Sequence, residues 1–99
     1  MRKYKLVVND IEEIITLKST DKYGIFEGYS NIDNYKILET RAAILLYYNN
    51  KPVFVSHMNL IANSYNTVFI DSDILDDTVY LYQVFNTHSN LIMRIRKGR

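Results

Sequence analysis

Carboxylates are concentrated in one short stretch of this chain, Asp71-Ser72-Asp73-Ile74-Leu75-Asp76-Asp77. Hard cations such as Mg²⁺ and Ca²⁺ are bound by converging carboxylate oxygens. Residues 71–77 are therefore the first candidate for a metal site, and with it for a small metal-dependent hydrolase. The stretch lacks the central glycine and the terminal glutamate of a helix–loop–helix calcium site. Because aspartate also favours turns, we interpret 71–77 as a solvated loop and expect neither a metal nor another cofactor.

The two histidines, His57 and His88, are the other candidates for chemistry near neutral pH. Neither lies in a motif that supplies the partners of a catalytic acid or base. Ser56 precedes His57, but adjacent side chains of an extended segment point in opposite directions and cannot form a nucleophile–base pair. The chain has no cysteine, which excludes disulfides, thiolate metal sites and a cysteine nucleophile. The residue types therefore predict a protein that is not an enzyme.

Basic residues gather at the two ends, where seven of the twelve lysines and arginines lie, although the net charge is only +1. Basic groups contact phosphates, and aromatic rings such as those of the nine tyrosines stack on bases. Most of these tyrosines lie in apolar runs, where a buried ring is the usual outcome. Nucleic-acid binding is therefore an alternative function. Its candidate residues are Arg2, Lys3, Arg94, Arg96, Lys97 and Arg99.

The stretch 42–56 has the pattern of a β-hairpin, because two apolar runs flank Asn49-Asn50. Asparagine tolerates the positive φ that a two-residue turn requires. Pro52 donates no hydrogen bond and is expected to face an edge without a neighbouring strand. The turn predicts a register in which Tyr48 lies opposite Lys51, Tyr47 opposite Pro52, Leu46 opposite Val53, Leu45 opposite Phe54 and Ile44 opposite Val55.

A helix over 33–48 is the alternative for part of this region. Tyr35, Leu38, Ala42 and Leu45 recur at helical spacing, and Asp33 is available as a cap. The run 42–48 is apolar on all sides and suits a buried strand or a buried helix. We favour the strand because of the asparagine turn and the β-branched second arm.

The remaining chain reads mainly as short strands. A second hairpin joins 4–8 to 11–17 through Asn9-Asp10, and the glycines of strand 23–29 indicate a bulge or a close backbone approach. Further strands are predicted at 67–70, 78–85 and 91–95. Met58, Ile61, Ala62 and Tyr65 predict a helix over about 57–65, with a second short helix at 33–40 as an alternative. The fold class is therefore α+β, a single small domain over 1–99 with a mainly antiparallel sheet.

The amino-acid composition limits the classes of protein to which this chain can belong. Hydrophobic residues make up 47% and charged residues 23% of the chain, which is typical of a globular domain. The longest apolar run, 42–48, is far shorter than the roughly 20 residues of a membrane-spanning helix. The basic start is followed by too short an apolar segment for a signal peptide. We therefore expect a soluble cytoplasmic protein that does not bind membranes.

The whole chain, with its strands rich in Tyr, Ile and Asn, the segment 42–56 and the basic end 93–99, resembles the small uncharacterised soluble proteins of archaeal filamentous and rod-shaped viruses. The resemblance implies a viral accessory protein that resists heat and acts in the host cytoplasm on a host or viral partner. It supplies no functional residue, and the ten asparagines depart from the hyperthermophile pattern. The main hypothesis is a non-enzymatic binding protein that acts through an aromatic-rich surface or a strand edge. Its expected partner is a second copy, giving a homodimer, or a host or viral protein.

Overall fold

The computed structural model describes residues 2–59, 61–62 and 64–97. They form two antiparallel sheets, a four-stranded sheet in the order β10-β9-β1-β2 and a six-stranded sheet in the order β3-β4-β5-β6-β7-β8. The strands are β1 (Lys3–Val8), β2 (Ile11–Thr16), β3 (Lys18–Ser19), β4 (Phe26–Tyr29), β5 (Tyr35–Glu39), β6 (Ala43–Tyr48), β7 (Lys51–Asn59), β8 (Ser64–Phe69), β9 (Val79–Val84) and β10 (Ser89–Ile95). A 3₁₀ turn over Ser72–Ile74 is the one helical element of the described residues, and none of them forms a helix that could cross a membrane.

The inner faces of the two sheets share one apolar core. Strands alternate buried and exposed residues, as in β1, where Tyr4, Leu6 and Val8 are buried. Leu17, also buried, separates β2 from β3, so the chain passes at this corner from one sheet to the other. The buried side chains that meet between the sheets include Leu6, Ile15, Leu81 and Met93 from the four-stranded sheet and Ile37, Ile44, Leu46 and Phe54 from the six-stranded sheet.

The predicted α+β class is wrong, because the region expected to be a helix over 57–65 is a β-hairpin. β7 continues to Asn59 and pairs with β8. Asn59 Oδ1 accepts hydrogen bonds from the backbone N–H groups of Ile61 and Ala62, an alternative to helical bonding that asparagine offers its own backbone. Ile61 is fully exposed, so the apolar spacing that predicted a helix does not mark a buried stripe.

The short helix at 33–40 and the longer one over 33–48 are also wrong. β5 and β6 fill this region, and Tyr35 and Ile37 are buried on either side of the more exposed Lys36. Thr40 Oγ1 accepts hydrogen bonds from the N–H groups of Ala42 and Ala43 and thereby turns the chain between the strands. The burial period is two, as in a strand, and the helical spacing in the sequence is coincidental.

The central hairpin is confirmed, with φ of 51° at Asn49 and 64° at Asn50. Its first two pairs, Tyr48 with Lys51 and Tyr47 with Pro52, are as predicted. Beyond them the predicted register is wrong by one residue. A β-bulge follows Pro52, so the pairs are Leu46 with Phe54, Leu45 with Val55 and Ile44 with Ser56.

The bulge leaves Val53 as the extra residue of β7. Val53 O accepts hydrogen bonds from the N–H groups of Ile70 and Asp71, which follow β8. β8 ends at Phe69, opposite Phe54, so Pro52 lies beyond its end. The bulge lets the consecutive residues Val53 and Phe54 both be buried, a gain of apolar burial that strict alternation prevents.

Glycine and bulge positions set two other details. A Cβ at Gly28 would lie 2.6 Å from both Ile15 Cγ2 and Leu17 Cδ2, which confirms the predicted close approach. β10 has a second bulge between Leu91 and Met93. Met93 is therefore buried while Leu91 is 48% exposed, although regular alternation along a strand would place both residues on one face.

Asn50 tests the hairpin turn directly. Asn50→Ala should lower the free energy of unfolding by about 1 kcal/mol, because alanine is strained at positive φ. Asn50→Gly is the matched control and should cost nothing, since glycine adopts this conformation freely. The measurement is the urea unfolding curve of both variants. Equal midpoints for the two variants would show that the turn does not hold the left-handed conformation.

Candidate functional site

The aspartate stretch closes one end of the sandwich. Leu75 is buried in the core. Asp77 Oδ1 accepts a hydrogen bond from Asn9 Nδ2 at 2.8 Å, and Asp76 Oδ1 lies 3.8 Å from Lys97 Nζ. Within the described residues, which include all of 71–77, no group of three or more potential metal-ligating side chains comes together. The carboxylates are thus spread along a loop that is anchored to the strands beside it.

The histidines lie far from one another in the topology. His57 is exposed on β7, whereas Ser56 is buried and its Oγ lies 3.4 Å from Thr67 Oγ1. The two neighbours therefore point to opposite faces of the sheet, as the sequence indicates. His88 lies in the turn before β10, where its ring stacks on Phe85 with centroids 4.9 Å apart. His88 Nδ1 also lies 3.1 Å from the hydroxyl of its exposed neighbour Thr87, whereas the His57 ring has no hydroxyl partner among the described residues.

Two tyrosines connect the sheets and loops through buried polar contacts. Tyr4 donates its hydroxyl to Glu39 Oε1 at 2.5 Å, and burial together with this carboxylate raises the pKa of Tyr4 far above its ordinary value. Tyr35 donates to Asp77 Oδ2 at 3.4 Å, and burial, with Asp77, raises the pKa of Tyr35. Both rings thus hold the fold together and are not presented to a ligand.

Two of the six residues predicted to bind nucleic acid, Arg2 and Lys97, do not join a common surface. Arg2 Nε donates to Glu39 Oε2 at 2.5 Å, and the Arg2 guanidinium lies 3.8 Å from the centroid of the Phe26 ring. Lys97 faces Asp76 in the aspartate loop. Arg99 lies outside the described residues.

The other three, Lys3, Arg94 and Arg96, lie on the outer face of the four-stranded sheet. Arg94 is directly opposite Tyr80, and Arg96 Nε donates to Tyr80 OH at 3.0 Å. Lys3 is opposite Val84 on the same sheet. We call the surface that they share with three further residues the basic face. It consists of Lys3, Lys5, Tyr80, Tyr82, Arg94 and Arg96.

Sequence reasoning missed Lys5, Tyr80 and Tyr82 as members of this face. Lys5 is opposite Tyr82, with Nζ 4.5 Å above the ring centroid. The Tyr80 and Tyr82 rings are 6.5 Å apart and inclined by only 10°. The sequence contains the pattern that places them there. Side chains alternate along β9, so the Tyr80 and Tyr82 rings lie on the face away from the buried Val79 and Leu81.

β8 is the most exposed strand, and its free side is the second candidate surface. All six of its residues are exposed, and Val68, Phe69 and the following Ile70 are each about half exposed. The segment 64–70 contains no charged residue and no proline. Beside β8 a groove of about 530 Å³ separates it from β9 and β10, with Phe85 and Leu91 exposed along it.

The backbone of β8 presents hydrogen-bonding groups along this free side. Ile70 N donates to Val53 O, and the ladder with β7 is regular from Phe69 to Ser64. The direction of backbone hydrogen bonding alternates along a strand. The N–H and C=O groups of Ser64, Asn66 and Val68 therefore bond to β7, whereas those of Tyr65, Thr67 and Phe69 point away from β7, toward the free side of the strand. In the described part of the chain, no other residue accepts from the N–H groups of these three outward-facing residues. We call this row the β8 edge.

The other three strands at the ends of the sheets are protected in known ways. β3 has only two residues. β10 is bulged and carries Arg94. β2 carries Glu12 and Glu13, and Glu13 accepts hydrogen bonds from Ser30 Oγ and Asn31 N, which hold the 30–34 loop against that strand. The β8 edge has none of these protections along residues 64–69.

The chain matches no protein-family model, no curated protein and no solved structure. The case for a function therefore rests on these two surfaces.

The tyrosine contacts predict how stability changes at high pH. The raised pKa means that unfolded Tyr4 ionises near pH 10 while folded Tyr4 stays protonated, so stability is complete below pH 10 and is lost above it. Tyr4→Phe should reduce this decline by about 1 kcal/mol per pH unit above pH 10. Urea unfolding at several pH values measures it. Tyr23→Phe, at a ring that is 93% exposed, is the control and should keep the wild-type slope.

Proposed function

We propose that this protein is a non-enzymatic binding protein that recognises an extended segment of a partner by adding it as a strand to the β8 edge. The observation that carries the proposal is the combination of free backbone groups and exposed apolar side chains along β8, without the charges, bulges or proline that protect other sheet edges. Backbone hydrogen bonds supply affinity in such complexes, and alternate side chains supply specificity.

The chemistry of β8 defines the segment that it accepts. Tyr65, Thr67 and Phe69 lie on the inner face, and the first two line the groove. Val68 lies on the outer face and pairs with Val55. Because no charge lies along 64–70, a charged segment would be desolvated without a partner. The partner segment is therefore uncharged and carries aromatic or β-branched residues.

A second copy of this chain supplies such a segment. The outward-facing residues Tyr65, Thr67 and Phe69 are spaced symmetrically about Thr67, so two antiparallel β8 strands related by a two-fold axis at Thr67 match in hydrogen-bonding phase. In this register Tyr65 of each copy faces Phe69 of the other. Cross-strand aromatic pairs of this kind each contribute roughly 0.2–1 kcal/mol. In this arrangement the partner is a second copy of the chain, and the complex is a homodimer.

The wider role follows from the resemblance to archaeal viral proteins. It supports a viral accessory protein in the host cytoplasm, where the same edge binds a host or viral protein through an uncharged extended segment. Thr67 keeps this edge available, because the contacts to Ser56 Oγ and Ile92 O come from its hydroxyl and not from its backbone.

Thr67→Pro should abolish dimerisation, because proline removes the central outward-facing N–H while the bonds of β8 to β7, made by Ser64, Asn66 and Val68, remain. Thr67→Val is the matched control, since it removes the hydroxyl and keeps the N–H. Sedimentation velocity over a range of concentrations gives the dimer affinity, and fluorescence anisotropy measures binding of a labelled peptide with the sequence of residues 64–70. Wild type and Thr67→Val should dimerise and bind the peptide.

Circular dichroism establishes that each variant is folded. A folded Thr67→Pro protein that dimerises as the wild type does would rule out the β8 edge as the interface. A wild-type protein that stays monomeric and does not bind the peptide at any concentration would rule out strand addition.

A further inference from the structure

The basic face is a second surface, separate from the β8 edge, and its chemistry differs. We propose that it binds single-stranded nucleic acid, DNA or RNA, by contacting phosphates with its four cations and stacking bases on its two tyrosines. This inference does not depend on strand addition at β8. It also differs from the expectation that the two chain ends bind nucleic acid, because Arg2 and Lys97 face carboxylates elsewhere.

The basic face carries more net positive charge than the molecule as a whole. Lys3, Lys5, Arg94 and Arg96 give it four cations, and Glu12, which is 3.6 Å from Lys5 Nζ, is the carboxylate beside them. The whole chain has a net charge of only +1. The surplus of positive charge is therefore local to this sheet face, as a polyanion site requires.

Arg94 and Lys3 are the cations most available to phosphates. Both side chains are exposed, and neither forms an ion pair with another residue in the described part of the chain. Arg96, by contrast, is positioned by its hydrogen bond to Tyr80 OH. The face thus has free charges at two of its borders and fixed charges beside the rings.

The tyrosines make the site more than a charged patch. Tyr80 and Tyr82 are partly exposed, nearly parallel and 6.5 Å apart along one strand. Aromatic rings on an open sheet are platforms for successive unpaired bases, because every base has a π face. Lys5 Nζ lies 4.5 Å above the Tyr82 ring centroid, so a base that stacks on this side of the ring displaces the ammonium toward a phosphate of the same nucleotide.

The shape of the surface favours single strands over duplexes. A four-stranded sheet is about 19 Å across at the usual strand spacing. The major groove of duplex DNA is about 12 Å wide and admits a helix or a two-stranded ribbon. The basic face therefore cannot enter it, whereas an unpaired strand can lie across the sheet.

Fluorescence anisotropy with labelled oligomers of thymidine and of uridine, each about 12 nucleotides long, tests the site at several salt concentrations. Tyr82→Leu should weaken binding about tenfold through lost stacking, and Tyr82→Phe should stay within about twofold of wild type. Arg94→Gln with Arg96→Gln should reduce the slope of log K against log salt by about 1.4, since each phosphate contact on a single strand contributes about 0.7.

Lys18→Gln with Lys22→Gln is the matched charge control, because both side chains are exposed and lie outside the basic face. It should bind as the wild type does. Equal binding of the two oligomers assigns the site to features shared by DNA and RNA, and a preference for uridine adds a contact to the 2′-hydroxyl; either supports the proposal.

Three results would overturn the proposal: no binding at low salt, equal losses in the two charge variants, or identical affinities of Tyr82→Leu and Tyr82→Phe. The last would mean that the face attracts any polyanion without stacking bases. The Thr67→Pro protein should bind the oligomers as the wild type does. Failure of strand addition and failure of nucleic-acid binding therefore give different patterns.

Discussion

The burial of one apolar sheet face against another is the constraint on which this structure depends. Four strands cover six, and Leu17 marks the corner where the chain crosses between the sheets. The larger sheet therefore extends beyond its cover. The residues of its last strand, β8, are exposed, although the Thr67 hydroxyl donates a hydrogen bond to Ile92 O of the smaller sheet. The exposed strand β8 thus lies at one end of the larger sheet.

Polar contacts fix the position of the two sheets relative to each other, because apolar packing alone is not directional. Glu39, at the end of β5, accepts from both Tyr4 and Arg2 and so connects the six-stranded sheet with β1. Tyr35 similarly reaches Asp77 in the loop that closes the other end. Buried hydroxyls that are fully paired cost little and specify one arrangement of the sheets. This explains why two of the nine tyrosines, in an otherwise apolar core, are among its largest fully buried side chains.

The sequence predicts the parts of this fold that depend on local backbone chemistry. Asn49-Asn50 and Asn9-Asp10 predict two-residue turns because few other residues tolerate positive φ, and all four adopt it. The helix over 57–65 fails because Asn59 bonds to its own loop and ends the helical alternative. The predicted register beyond Pro52 fails for another reason, because the bulge at Val53 is accompanied by hydrogen bonds from Ile70 and Asp71, which are distant in sequence.

The candidate surfaces are predictable to different degrees. Alternation in β9 is sufficient to place Tyr80 and Tyr82 on one face, but bringing Lys3 and Arg94 beside them requires β1, β9 and β10 to be neighbours. Strand order is not encoded in any local pattern. The β8 edge is the hardest surface to predict from the sequence, because only the full strand order of both sheets shows which strands lack a neighbour on one side.

The brevity of β3 limits what the six-stranded sheet can build. Its two residues offer too little backbone for another strand to pair with, so β8 presents the longer free edge of the two ends of this sheet. A sheet that is adhesive on both sides propagates into fibrils, as in cross-β stacking. With one such side, joining stops after a single event. The asymmetry between the first and last strands of this sheet therefore makes any assembly through it self-limiting.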